Sequence, residues 1–114
     1  MSFANSTWTM PPSGGATSIT VTFGANQATS PVAGGNGTYA VVYPSGPITT
    51  NILWIEMPDG RFMFQFKGPT DPGNKELPTY TGQHSNGSAS GWFSNFDAAW
   101  AAMPFTMKVK SPHH

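Results

Sequence analysis

The feature that most constrains this chain is a period-two alternation of apolar and polar residues, in runs bounded by Gly, Pro and Asn. Successive side chains of a strand point to opposite faces, so each run offers one apolar face to a core. Ile19, Val21 and Phe23 alternate with Ser18, Thr20 and Thr22. The pattern repeats in Tyr39, Val41 and Tyr43, in Leu53, Ile55 and Met57, and in Phe62, Phe64 and Phe66. It returns in Phe105, Met107 and Val109, opposite Thr106, Lys108 and Lys110. About seven to eight short strands without βαβ alternation predict an all-β fold. Their order reads as consecutive hairpins, which favours an antiparallel up-and-down β-barrel, with a β-sandwich as the alternative. At 114 residues the chain is one domain, 1–114, with His113-His114 read as a tag remnant.

One turn allows a register to be predicted. In Met57-Pro58-Asp59-Gly60-Arg61-Phe62, Asp-Gly is a strong hairpin signal, because both central residues of a type I′ turn need positive φ. A turn centred there pairs Met57 with Phe62, Ile55 with Phe64 and Leu53 with Phe66, and puts all six on the core side. Trp54 and Glu56 then share the outer face. Glu56 is expected there as a solvated carboxylate near Arg61; on a buried face it would instead be a candidate general base.

Ser94 to Met103 break the alternation. Ser94 can cap, Asp97 stands in the first turn, Ala98, Ala99, Ala101 and Ala102 favour helix, and Pro104 stops it. A short helix near 95–103 is predicted, with Phe96, Trp100 and Met103 on one side, as a lid on one end of the β structure. Gly68 to Pro78 is a polar loop with three prolines, a candidate for binding or oligomer contact.

Charge narrows the function classes. Only 9% of residues are charged, and five Lys+Arg balance five Asp+Glu. Dispersed cations cannot supply the phosphate contacts that drive nucleic-acid binding, so no nucleic-acid partner is expected. No apolar run approaches the roughly 18 residues of a spanning helix, so no membrane partner is expected. The absence of cysteine removes disulfides and thiolate zinc sites, and no His/Asp/Glu cluster has ligand spacing. Neither metal nor cofactor is expected. Met1 to Gly15 carry no signal-peptide pattern, and the composition suits a cytoplasmic or a secreted protein.

Catalytic residues are not assigned either. Asp59 belongs to the turn, Asp97 to the helix start, and Asp71 and Glu76 to the loop. His84, the only internal histidine, reads as a solvent-facing residue at a strand end.

Aromatic residues make up 13% of the chain, more than the core faces require. Phe23, Phe62, Phe64, Phe66 and Phe105 read as core. Trp54, Tyr80, Trp92 and Trp100 fit packing less well and are candidate platforms for a neutral ligand. Asn, Gln, Ser and Thr around Gln83 to Ser90 could bond a polar head.

Ser6-Thr7-Trp8, in the first strand, resembles with serine for the glycine the G-x-W entry of calycin barrels, the group that holds lipocalins and avidins. Gly37-Thr38-Tyr39 resembles the G-T-Y of an avidin's third strand, and Thr79-Tyr80-Thr81-Gly82-Gln83 is similar to the aromatic-x-G-Q segment. Ala99-Trp100 and Phe105-Thr106-Met107-Lys108-Val109-Lys110 resemble the late tryptophan and closing strand. The resemblance implies that Tyr39, Tyr80, Trp92 and Trp100 stand near pocket-lining positions. The acidic residue that meets biotin has no counterpart in Ala101-Ala102-Met103-Pro104, and Pro11-Pro12 occupies the first loop. The implied pocket is an aromatic box without that polar end, and biotin is not the expected ligand.

The expected ligand-binding residues are Tyr39, Trp54, Tyr80, Gln83, Trp92 and Trp100. The expected function is non-enzymatic binding of a small, largely apolar, neutral ligand in an aromatic-lined barrel. A lectin-like, sugar-binding β protein is the second reading, and a structural or assembly subunit the third. A calycin-like cyclase or isomerase is the enzymatic alternative. Apolar patches on a weakly charged surface suit association, so a homo-oligomer is expected.

Overall fold

A computed structural model describes residues 2–29, 31–67, 79–94 and 102–110. They form eight strands: β1 (Ser6–Met10), β2 (Ser18–Phe23), β3 (Ala33–Tyr43), β4 (Gly46–Glu56), β5 (Arg61–Phe66), β6 (Thr79–Ser85), β7 (Ser88–Ser94) and β8 (Met103–Val109). Each strand pairs antiparallel with the next, and β8 returns to β1 through Trp8↔Val109 and Thr9↔Lys108. The sheet is therefore a closed up-and-down barrel, not a sandwich, and closure removes every sheet edge.

The alternation decides the inside. Ile19, Val21 and Phe23 of β2, Phe62 and Phe64 of β5, and Phe105 and Met107 of β8 are buried, as the pattern predicts. Their rings form a ladder along the barrel. Phe3 stacks on Phe23 with centroids 4.2 Å apart, Phe23 meets Phe64 edge-on at 5.7 Å, and Phe64 stacks on Tyr80 at 4.5 Å.

The β4–β5 hairpin corrects the predicted register. Glu56 pairs with Phe62, Ile55 with Met63, Trp54 with Phe64 and Ile52 with Phe66. The amide of Met57 donates to Arg61 O at 2.8 Å, the amide of Gly60 donates to Met57 O at 3.0 Å, and within this turn only Gly60 has positive φ (+90°). Pro58 is the physical reason. A two-residue Asp59-Gly60 loop would pair Pro58 with Arg61 and need an N–H that proline lacks, whereas a φ near −65° suits the second position of a type I turn, after which Gly60 takes the left-handed position. A three-residue loop replaces the expected two or four, and a one-residue slip exchanges the faces of β4. Ile52, Trp54 and Glu56 point inward, and Leu53 and Ile55 lie exposed on the outer wall.

Ser94 ends β7 and Met103 opens β8, so both ends of the predicted helix segment are strand. Its remainder, 95–101, with Phe96, Asp97 and Trp100, lies outside the described residues, as does the loop 68–78 with Asp71 and Glu76.

Candidate ligand site at one end of the barrel

The strand directions sort the interior into two ends. At one, β1 ends at Met10, β2 begins at Ser18, β5 ends at Phe66 and β6 begins at Thr79. Here the barrel holds a cavity of about 410 Å³, lined by Met10, Ile19, Tyr39, Tyr80, Phe93 and Phe105 and rimmed by Pro11, Pro12 and Met103. A second cavity of about 330 Å³ shares Ser13, Ile19, Tyr39 and Tyr80 with it and extends to Tyr43 and Phe66.

Two phenols supply the polar centre of this end. Tyr80 Oη donates to Tyr39 Oη at 3.4 Å, and Tyr39 Oη lies 4.0 Å from Met10 Sδ. Burial raises the pKa of Tyr39, an effect partly offset by its hydrogen bond with Tyr80. Burial likewise raises that of Tyr80, reinforced by the bond to Tyr39. Both phenols are therefore neutral donors and acceptors across the ordinary pH range. Tyr80 stacks on Phe93 at 4.9 Å and meets Phe105 edge-on at 5.1 Å, which fixes its ring.

The opposite end is filled. Phe3 is fully buried, stacks on His84 at 4.4 Å, and is held by its amide, which donates to Glu56 Oε1 at 3.0 Å. Ser2 Oγ donates to the same oxygen at 3.2 Å, and Glu56 Oε2 contacts His84 Nε2. Glu56 and His84 are each only 8% exposed. Neither solvated reading holds. The register slip carries Glu56 inside, and His84 shares its face of β6 with Tyr80, opposite Ala89. An imidazole against a carboxylate can serve acid–base chemistry, but this pair sits under the Phe3 ring and its Oε1 is spent on the 2–3 segment. It acts as a clasp for the plug.

Of the six residues expected to bind ligand, Tyr39 and Tyr80 meet at the cavity. Trp54 is buried in the core, its indole N–H donating to Asn36 O at 3.0 Å. Gln83 and Trp92 lie on the outer wall, with Gln83 Nε2 donating to Asp59 O at 3.2 Å. Trp100 lies outside the described residues. Comparison of the chain with protein families, curated proteins and solved structures finds no match. The fold itself is compatible with a calycin-like small barrel, an eight-stranded closed antiparallel meander.

Phe93 and the Glu56–His84 pair were not foreseen. The signal for His84 was present in Asn86-Gly87, whose φ of +55° and +78° make a two-residue turn. That turn pairs Ser85 with Ser88 and so sends His84 inward with Tyr80.

Proposed function

We propose that the protein binds a small, largely apolar, neutral ligand in the hollow end of the barrel, without catalysing a reaction on it. The observation that carries this reading is the 410 Å³ cavity whose described lining holds no charged residue. Its volume lies within the range of small-molecule sites, and such sites pair apolar walls with a few placed polar groups. Tyr39 and Tyr80 are those groups: two neutral hydroxyls that can meet one carbonyl, hydroxyl or amide of an otherwise flat, apolar molecule. Phe64 and Phe93 stack on Tyr80, so the apolar wall offered to such a molecule comes from Met10, Ile19, Phe93 and Phe105 around the two hydroxyls. The calycin resemblance points the same way, toward an avidin- or lipocalin-like pocket without the acidic contact for biotin.

The test is a thermal-shift and fluorescence titration with N-phenyl-1-naphthylamine, steroid- and flavonoid-type neutral hydrophobes, biotin, and simple sugars. A ligand at a hundred times its Kd adds about 2.7 kcal/mol, a shift on the order of ten degrees for a domain of this size. A shift with a neutral hydrophobe, weakened by Phe93→Ala, is the expected result. Silence from every hydrophobe overturns the reading.

A further inference from the structure

We infer that the outer wall of β5–β8 is a second binding site, a platform for a neutral saccharide centred on Trp92. Cross-strand pairing builds it. Met63, Thr81, Trp92 and Pro104 form one row across the four strands, and Arg61, Gln83, Ser90 and Thr106 form the next outward row. Between them lies the inward row Phe62, Gly82, Gly91 and Phe105. At its centre β6 and β7 approach so closely that a Cβ on Gly82 would stand 2.2 Å from Ser90 O, and one on Gly91 1.9 Å from Thr81 O. Only glycine pairs with glycine there. The wall is dished on its outer side into a groove of about 730 Å³, lined by both outward rows.

The chemistry of the two rows selects the occupant. Trp92 is 57% exposed, whereas Trp8 and Trp54 are buried, and its backbone is paired on both sides within the barrel wall. It therefore presents its indole to solvent from a backbone fixed in the wall. The adjoining row offers a neutral amide and hydroxyls. Gln83 is held in place by its bond to Asp59 O, and the one charge, Arg61, is matched by Asp59 at 2.8 Å. A pyranose ring has this same division, an apolar C–H face with a rim of hydroxyls.

The groove itself is small for a second copy of the chain. Four strands about 4.8 Å apart and two outward rows about 7 Å apart give its floor an area on the order of 100–150 Å², with the exposed Ile55 continuing the wall past Met63 outside it. A stable protein interface needs roughly 800 Å² per partner. One or two sugar rings match the patch.

The experiment titrates cellotriose, laminaritriose, mannotriose and triacetylchitotriose into the full chain, read by tryptophan emission and calorimetry. At least one should bind with a Kd of about 1 mM or tighter and change the emission. Trp92→Ala should weaken that binding at least tenfold, and Trp92→Phe should retain most of it. Thermal stability and N-phenyl-1-naphthylamine binding should stay unchanged in both variants, because the ring packs on neither the core nor the cavity. Failure of all four sugars, or binding that survives Trp92→Ala, overturns the inference. So does a wild-type dimer in sedimentation that Trp92→Ala dissociates. None of these results bears on the cavity, so the two readings fail separately.

Discussion

The same eight strands enclose both ends of the barrel, yet among the described residues one end is solid and the other hollow. The interior of a barrel this size is just wide enough for side chains to fill it. At the solid end an added segment supplies the filling. Phe3 inserts between Phe23 and His84, and Glu56 receives its amide. At the hollow end, Pro11 and Pro12 stand on the rim and the two tyrosines bond to each other. Strand pattern thus makes the barrel, while what enters each mouth decides whether that mouth becomes core or site.

The largest expected effect is at the clasp. Glu56→Ala removes the acceptor for the Phe3 amide, the Ser2 hydroxyl and His84 together. Breaking such a buried pair should cost about 3–5 kcal/mol, read by urea denaturation at neutral pH. A loss below about 1 kcal/mol would mean that the clasp does not hold this end closed. Next comes a paired comparison of rings. Phe3→Ala should cost about 3 kcal/mol, since the ring is fully buried. Phe93→Ala at the half-buried, hollow end should cost about half that and lower ligand affinity instead. Equal losses would erase the distinction between the ends.

Strand faces and strand register are written in the sequence to different degrees. Alternation within a strand survives tertiary context, so β2, β5 and β8 faced the right way before any pairing was known. Register depends on turn geometry, and there Pro58 outweighed the Asp59-Gly60 signal. That single residue of slip moved Trp54 and Glu56 from wall to interior and Leu53 and Ile55 the other way. The clasp was hidden for two different reasons. Glu56 follows the slipped register of β4, whereas His84 of β6 reads as a strand end until the Asn86-Gly87 turn sets its face. Tyr39 and Tyr80 are singled out by the calycin-like segments around them, Tyr39 also by its alternating run, and both lie inward at the cavity. Phe3 is not singled out, since it precedes the first strand and belongs to no periodic run.

A smaller effect tests how the plug is tied to the wall. Ser6 Oγ accepts the Trp8 indole N–H at 2.8 Å and bonds to Phe3 O. Ser6→Gly should leave the N–H of a fully buried tryptophan without its partner and cost about 2 kcal/mol. It should also speed amide exchange at Phe3 while leaving the hollow end unchanged. Retained exchange protection would show that the plug stands on ring packing and Glu56 alone.

The smallest expected effect probes the hollow end through alkaline pH. Burial raises the phenol pKa values of Tyr39 and Tyr80 in the folded state, while the unfolded chain deprotonates near the ordinary value of about 10. Above that pH the unfolded state holds fewer protons than the folded one, so stability falls as pH rises. The contribution is fully present below the unfolded pKa and is lost as pH climbs toward the folded one. At about pH 11 the loss for one phenol still neutral in the folded state is roughly 1.4 kcal/mol. Tyr80→Phe should flatten the alkaline limb of the stability curve by about that amount, with phenolate absorbance of the folded protein reduced little. A limb of unchanged slope would mean that Tyr80 ionises as readily in the barrel as in water. The hollow end would then be a wet mouth, and its proposed ligand would need to be far more polar than the lining suggests.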